Sequence, residues 1–232
     1  MIWESLFSWL ASAVPLIGAV VSRMSVQDPQ RLRQSCLMWS VLSLAPLIGT
    51  GMAMPEGPLP LFLLPIAAAI SLLGQPVHAS HSQSWLMTLV CLGLGIGVLA
   101  HHGFFSHLFL LGLMAVLISL LLHHHTTLWP ISWLGISLFS LVGFGVIMAS
   151  FSSDPLSSSV SLLVGMVLLP LLPFHSGYVT ALTRLPGNLP SFAAVLLPSV
   201  GLHIVAATLS TVPLLIINLL LISLPPSISR LG

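Results

Sequence analysis

The 232-residue chain is nearly without charge. Asp, Glu, Lys and Arg together make up 4% of it, its five basic residues are all arginine, and lysine is absent. Soluble domains carry about 25% charged residues, so this chain cannot clothe itself in a solvated surface. Hydrophobic residues make up 56% and mean hydropathy is +1.12. An integral membrane protein is the class that fits. The net charge of +1 gives no basis for binding nucleic acid. The only cysteines, Cys36 and Cys91, lie in apolar runs without metal-ligand spacing and read as small core residues. Glu4 stands in the first apolar stretch with no basic segment before it, which argues against a cleaved signal peptide.

Chemistry-bearing motifs are missing too. No nucleophile with a base and an orienting acid can be assembled, and no zinc spacing, phosphate loop or carboxylate pair is visible. An autonomous catalytic site is not expected, and no cofactor or metal is called for.

What the chain does have is a series of apolar runs. A transmembrane helix needs roughly 17–25 such residues. On that measure the sequence predicts an all-α polytopic bundle, a single transmembrane domain over 1–232, with about nine spans. They fall near 3–22, 36–54, 59–74, 85–100, 104–122, 131–151, 156–173, 191–209 and 212–228. Arg23, Arg31 and Arg33 follow the first span, Arg184 the seventh and Arg230 the ninth. If odd-numbered spans run inward, all arginines lie on the cytoplasmic side, as the positive-inside rule requires, with the N-terminus outside. Glu56 and Asp154 then fall opposite. Without a targeting segment, a bacterial inner membrane is favoured.

By these boundaries no Asp, Glu, Lys or Arg stands at mid-depth of a span. Intramembrane ionisable groups mark ion paths, so histidine, serine, threonine and Asn218 are what remains. Histidine titrates near neutrality. His107 in the fifth span, His203 in the eighth and His175 at the inner end of the seventh are the candidate proton carriers, with Ser199 beside them in the eighth. The plainer reading is that each histidine bonds a backbone carbonyl freed by a nearby proline or glycine. His107 and His203 both lie toward the outer leaflet, which raises a bis-histidine haem, although one loose pair is thin support. His123-His124-His125, and His78 with His81, read as polar interfacial stops. Trp3, Trp9, Trp39, Trp85, Trp129 and Trp133 fall near span ends as an aromatic belt. Gly93, Gly95 and Gly97, and Gly143 and Gly145, predict helix faces for close packing.

The seventh run ends in Leu168-Leu169-Pro170-Leu171-Leu172-Pro173-Phe174-His175. Two prolines, Pro170 and Pro173, break an apolar helix just before an aromatic and a histidine. Broken helices survive in a membrane only inside protein or beside water, and transporter-type proteins place them on ion paths. With Pro186-Gly187 and Pro190 before the eighth span, Gly201 within it, Pro15-Leu16-Ile17-Gly18-Ala19 in the first span and Leu59-Pro60-Leu61 opening the third, the chain resembles the antiporter-like membrane subunits of respiratory complex I. That family is shared with Mrp-type antiporters and membrane-bound hydrogenases.

The resemblance implies a membrane-arm subunit of a respiratory or hydrogenase-type complex, with other membrane subunits and the lipid bilayer as its partners. It also exposes departures. Full-length members hold two inverted half-channels, and these spans accommodate the first at most. The family's seventh-helix lysine corresponds to Leu168. Its fifth-helix glutamate falls near Leu111, and its eighth-helix lysine near Ser199. The residues after Pro-Phe-His are Gly177-Tyr178-Val179-Thr180 in place of the family's Trp-Leu-Pro-Asp. The Glu–Lys pair is what shifts the lysine's pKa and passes its proton on. A scaffolding role is therefore expected. A path of histidines and water is the alternative, and an unrelated small transporter or a haem-binding anchor a further one.

Overall fold

A computed structural model describes residues 2–25, 28–53, 59–123, 129–152, 156–170 and 175–209. Every regular element among them is helical: α1 (Ile2–Ser25), α2 (Pro29–Leu42), α3 (Leu44–Ala53), α4 (Leu59–Leu73), α5 (Ser82–Ala100), α6 (Phe104–His123), α7 (Trp129–Phe151), α8 (Leu156–Leu168), α9 (His175–Arg184) and α10 (Leu189–Leu209), with a 3-10 turn, Ala79–His81, before α5. Among the described residues five stretches are long and apolar enough to cross a membrane: Leu6–Ser25, Ala79–Ala100, Phe104–His123, Leu134–Phe151 and Leu189–Leu209. This supports an integral membrane protein, with fewer qualifying helices than the expected nine spans. The expected ninth span, 212–228, lies outside the described residues, as do Glu56, Asp154, Asn218 and Arg230.

Proline explains where the shorter helices stop. The second apolar run is divided at Ser43 into α2 and α3, because Pro46 has no N–H for the Leu42 carbonyl. Asp28 caps α2 by accepting from the Gln30 N–H at 3.3 Å, with Pro29 in the first position. The seventh run stops earlier than the expected residue 173. α8 ends at Leu168, and Leu169 still bonds the Gly165 carbonyl at 3.3 Å before Pro170 withholds the next N–H. The helical path then resumes as α9, a ten-residue helix the sequence reading did not anticipate. Pro15, Pro65 and Pro198 remain inside their helices. At Pro65 the carbonyl gains a bond from Ser40 Oγ at 2.9 Å, which ties α2 to α4.

α5 is the centre of the bundle. Of its most apolar window 72% is buried, against 33–39% for the other qualifying helices. It packs against α1, α2, α4, α6 and α10. A helix apolar on all sides belongs in a core, and its glycines let neighbours approach from several directions. A Cβ on Gly93 would meet the Ser12 carbonyl oxygen of α1 at 2.9 Å, one on Gly95 would meet Leu196 of α10, and one on Gly97 would meet the Phe109 ring of α6 at 2.5 Å. Residues two apart on a helix lie about 200° apart, so Gly95 faces away from Gly93 and Gly97, and the alternate glycines serve more than one helix face. A second close crossing joins α8 to α10: Gly201 lies so near that a Cβ would stand 2.8 Å from the Gly165 carbonyl oxygen. Trp85 is also not part of an interfacial belt, since it is fully buried in the core.

Large side chains such as Met24, Phe104, Phe144 and Phe151 are mostly exposed around the outside. In water such a surface would drive aggregation; in lipid it is the solvated face.

Gly201→Ala should destabilise the protein by about 1–3 kcal/mol, because the obstructing atom is backbone and cannot turn aside. Gly95→Ala should cost less, because the Leu196 side chain can change rotamer. Denaturation by sodium dodecyl sulfate in mixed micelles checks the order. An equal or larger loss for Gly95→Ala would contradict the account of the α8–α10 crossing.

Candidate functional site

Polar side chains collect at the two ends of the bundle. One end carries Arg23, Arg31, Arg33 and Arg184. Arg23 closes α1, Arg33 reaches from α2 to donate through Nη1 to the Gln75 carbonyl just beyond α4 at 2.8 Å, and Arg184 closes α9. α9 rests on the start of α7, where Gly135 lies against Ala181 and Gly177 against Leu138.

The best-organised polar group at this end centres on Asn188, which is 3% exposed. Its Nδ2 donates to Thr88 Oγ1 of α5 at 2.8 Å and to Ser71 Oγ of α4 at 3.2 Å. Each hydroxyl in turn donates to a carbonyl of its own helix, Thr88 to Ser84 and Ser71 to Ala68. Both hydroxyls therefore need a donor, which fixes the amide orientation and leaves Oδ1 buried without a partner. Gly187 makes the approach possible. Its φ of +61° is a left-handed conformation, and a Cβ there would strike Ser84 Oγ. Nearby, Trp85 Nε1 donates to Gln75 Oε1 at 3.1 Å. The start of α10 is thus fastened to α4 and α5.

The opposite end carries the histidines. His101 follows α5 and is 8% exposed, with its Nδ1 3.1 Å from the Gly97 carbonyl and its Nε2 buried without a partner. Trp9, Phe109 and Phe105 surround it, at ring distances of 4.4, 5.3 and 6.5 Å. Burial pushes its pKa below the ordinary histidine value; a charge on neighbouring His102 acts in the same direction, and the Gly97 carbonyl opposes it. The two-residue step to Gly103, at φ +64°, turns the chain into α6.

His107 and His203 both lie toward this end but engage different helices. His107 Nδ1 is 2.9 Å from Ser150 Oγ of α7, and Ser150 donates to the Val146 carbonyl. His203 stacks on His102, with ring centroids 6.1 Å apart and planes 24° apart. Ser199 turns back on its own helix and donates to the Val195 carbonyl at 2.7 Å. His175 stands at the other end of the bundle, exposed, as the first residue of α9. Pro170 forms the turn after α8; Pro173 lies outside the described residues. The four candidate carriers are therefore not gathered into one site.

At the positions where the resemblance would place charge, the surroundings are apolar. Leu168 is fully buried, and a Cβ on Gly201 of α10 would stand 3.1 Å from its Cβ. Leu111 packs against the hydrophobic core. Among the described residues no three His, Cys, Asp or Glu side chains are placed to hold a metal ion. Cys36 and Cys91 are free and buried.

The sequence reading missed Asn188 because it fell in a loop before the expected start of the eighth span. An asparagine directly after Pro186-Gly187 was the available signal. It missed His101 because a span-end histidine reads as interfacial.

These elements define an all-helical membrane protein with polar fasteners at both ends. No family model, curated protein or solved structure matches the chain.

Asn188→Ala should cost about 0.6–1.7 kcal/mol, the range for interhelical hydrogen bonds in membrane proteins. Asn188→Asp should cost more, because a carboxylate cannot donate to Thr88 and Ser71; thermal unfolding in detergent measures both. His101 has its pKa lowered on folding, so its contribution is fully present above the unfolded value of about 6.5 and is lost as pH falls below it. Wild type should lose more unfolding temperature than His101→Gln between about pH 7.5 and 5. Equal losses would contradict this placement of His101.

Proposed function

We propose that the chain is a structural membrane-arm subunit of a complex I-like or hydrogenase-like respiratory assembly. It packs by its helix faces and does not itself pump protons by a Glu–Lys relay. The observation that carries this reading is Leu168. At the position where the resembled family holds its lysine, the side chain is fully buried in the joint of α8 and α10. A lysine there would need a partner or water to remain charged. The neighbouring polar candidates are bonded within their own surroundings, Ser199 to Val195 and His107 to Ser150.

The break after Leu168 and the Pro-Phe-His sequence support the family assignment. The gathering of Arg23, Arg31, Arg33 and Arg184 at one end supports an orientation with that end in the cytoplasm and the N-terminus outside, in a bacterial inner membrane. The alternative, a proton path of histidines and water, draws on the His102–His203 stack and its exposure to the same end as His107.

Purification in mild detergent should recover other membrane subunits with the chain, identified by mass spectrometry. Recovery of the chain alone would count against the assembly. In the intact assembly His107→Ala and His203→Ala should leave proton translocation unchanged. Loss of translocation with the assembly intact would favour the histidine path.

A further inference from the structure

Arg31 and Arg33 at the arginine-bearing end have partners: Arg33 bonds the Gln75 carbonyl, and Arg31 lies 3.9 Å from Asp28. Arg23 has neither a carboxylate nor a hydrogen-bond acceptor among the described residues. It stands at the mouth of a groove between the end of α1 and the start of α5, about 520 Å3 in volume. Ligand sites commonly enclose about 300–1,000 Å3. Ala19, Leu86 and Val90 form apolar walls, and Arg23, Ser82 and Gln83 supply the polar end. No acidic side chain lines it. The outer flank is not covered by another described helix: Val20 is 59% and Met24 82% exposed.

We propose that this groove binds an anionic phospholipid. Its phosphate sits on the Arg23 guanidinium, and an acyl chain lies along Ala19, Leu86 and Val90. The arrangement matches the two parts of such a molecule in the order in which a bilayer presents them, headgroup at the helix ends and hydrocarbon toward the interior. Basic pockets between transmembrane helices near a membrane surface recognise anionic headgroups in this way. The guanidinium offers paired donors to phosphate oxygens, with the Gln83 amide beside it, while the Ser82 hydroxyl already donates to the Ala79 carbonyl. A zwitterionic lipid carries an ammonium next to its phosphate and gains less from a groove whose charge is a single cation. A free anion would use Arg23 and leave the apolar walls unused. This inference does not depend on the proposed assembly.

Native mass spectrometry of the delipidated full chain in mild detergent tests it, with added phosphatidylglycerol, with phosphatidylcholine of the same acyl chains, and with inorganic phosphate. Phosphatidylglycerol should form a one-to-one adduct in preference to phosphatidylcholine. Arg23→Gln should weaken that adduct about fivefold, corresponding to the ~1 kcal/mol of one arginine near an anionic surface. Arg31→Gln should leave it unchanged. Ala19→Phe, which fills the groove and keeps the cation, should weaken it as well. Equal binding of the two lipids, equal damage from Arg31→Gln and Arg23→Gln, or full competition by inorganic phosphate would overturn the proposal. So would cross-linking from position 20 in the native membrane to a protein chain rather than to lipid.

Discussion

The packing of neighbouring helices into the glycine positions of α5 is the constraint on which the bundle depends. Apolar side chains gain little by leaving lipid for protein, because both surroundings are apolar; packing and hydrogen bonds must hold helices together. Gly93, Gly95 and Gly97 remove side chains on opposite sides of one helix, and α1, α10 and α6 move into the spaces. Dispersion contacts grow steeply at such distances. The Gly165–Gly201 crossing does the same for α8 and α10. Together the two crossings hold α8 beside the central helix through α10.

Polar groups complete what packing begins, and they do so at the ends. Asn188 fastens the start of α10 to α4 and α5, and Gln75 joins Arg33 and Trp85. At the other end His101 is held in an aromatic enclosure, while His102 and His203 stack. Each hydroxyl in these groups donates to a carbonyl of its own helix or connection, so little hydrogen-bonding capacity is left facing lipid. Ends are where such groups are cheapest to place, because water and headgroups can satisfy what the protein does not. The same logic gives the middle of the bundle its character: Leu168, Leu111 and the glycines of α5 make an apolar interior. At the end of α8, Leu168 and Gly165 pack closely against Gly201 of α10.

Composition and periodicity carried much of the architecture. The scarcity of charge made a membrane bundle the class that fits, and the apolar runs located α1, α4, α5, α6, α7 and α10 to within a few residues, because helix length and hydropathy are local properties. The boundaries that moved were those governed by a proline's missing N–H: Pro46 divided one run, and Pro170 ended another at Leu168. α9 escaped notice because a ten-residue amphipathic helix does not register as a span. The apolar character at Leu168 was legible residue by residue; its burial against α10 was not.

By itself the sequence determined that this protein belongs in lipid and that its apolar runs carry almost no charge. These follow from residue identity and spacing. The tertiary structure decided which helix is central, that glycines on alternate positions serve three different neighbours, and that Asn188 and His101, unnoticed as candidates, are buried fasteners. It also separated His175 from His107 and His203 and drew Arg23 to the mouth of a groove. Those outcomes depend on which helices meet and at what depth, and such contacts join residues as far apart as Ser71 and Asn188, beyond the reach of any local pattern.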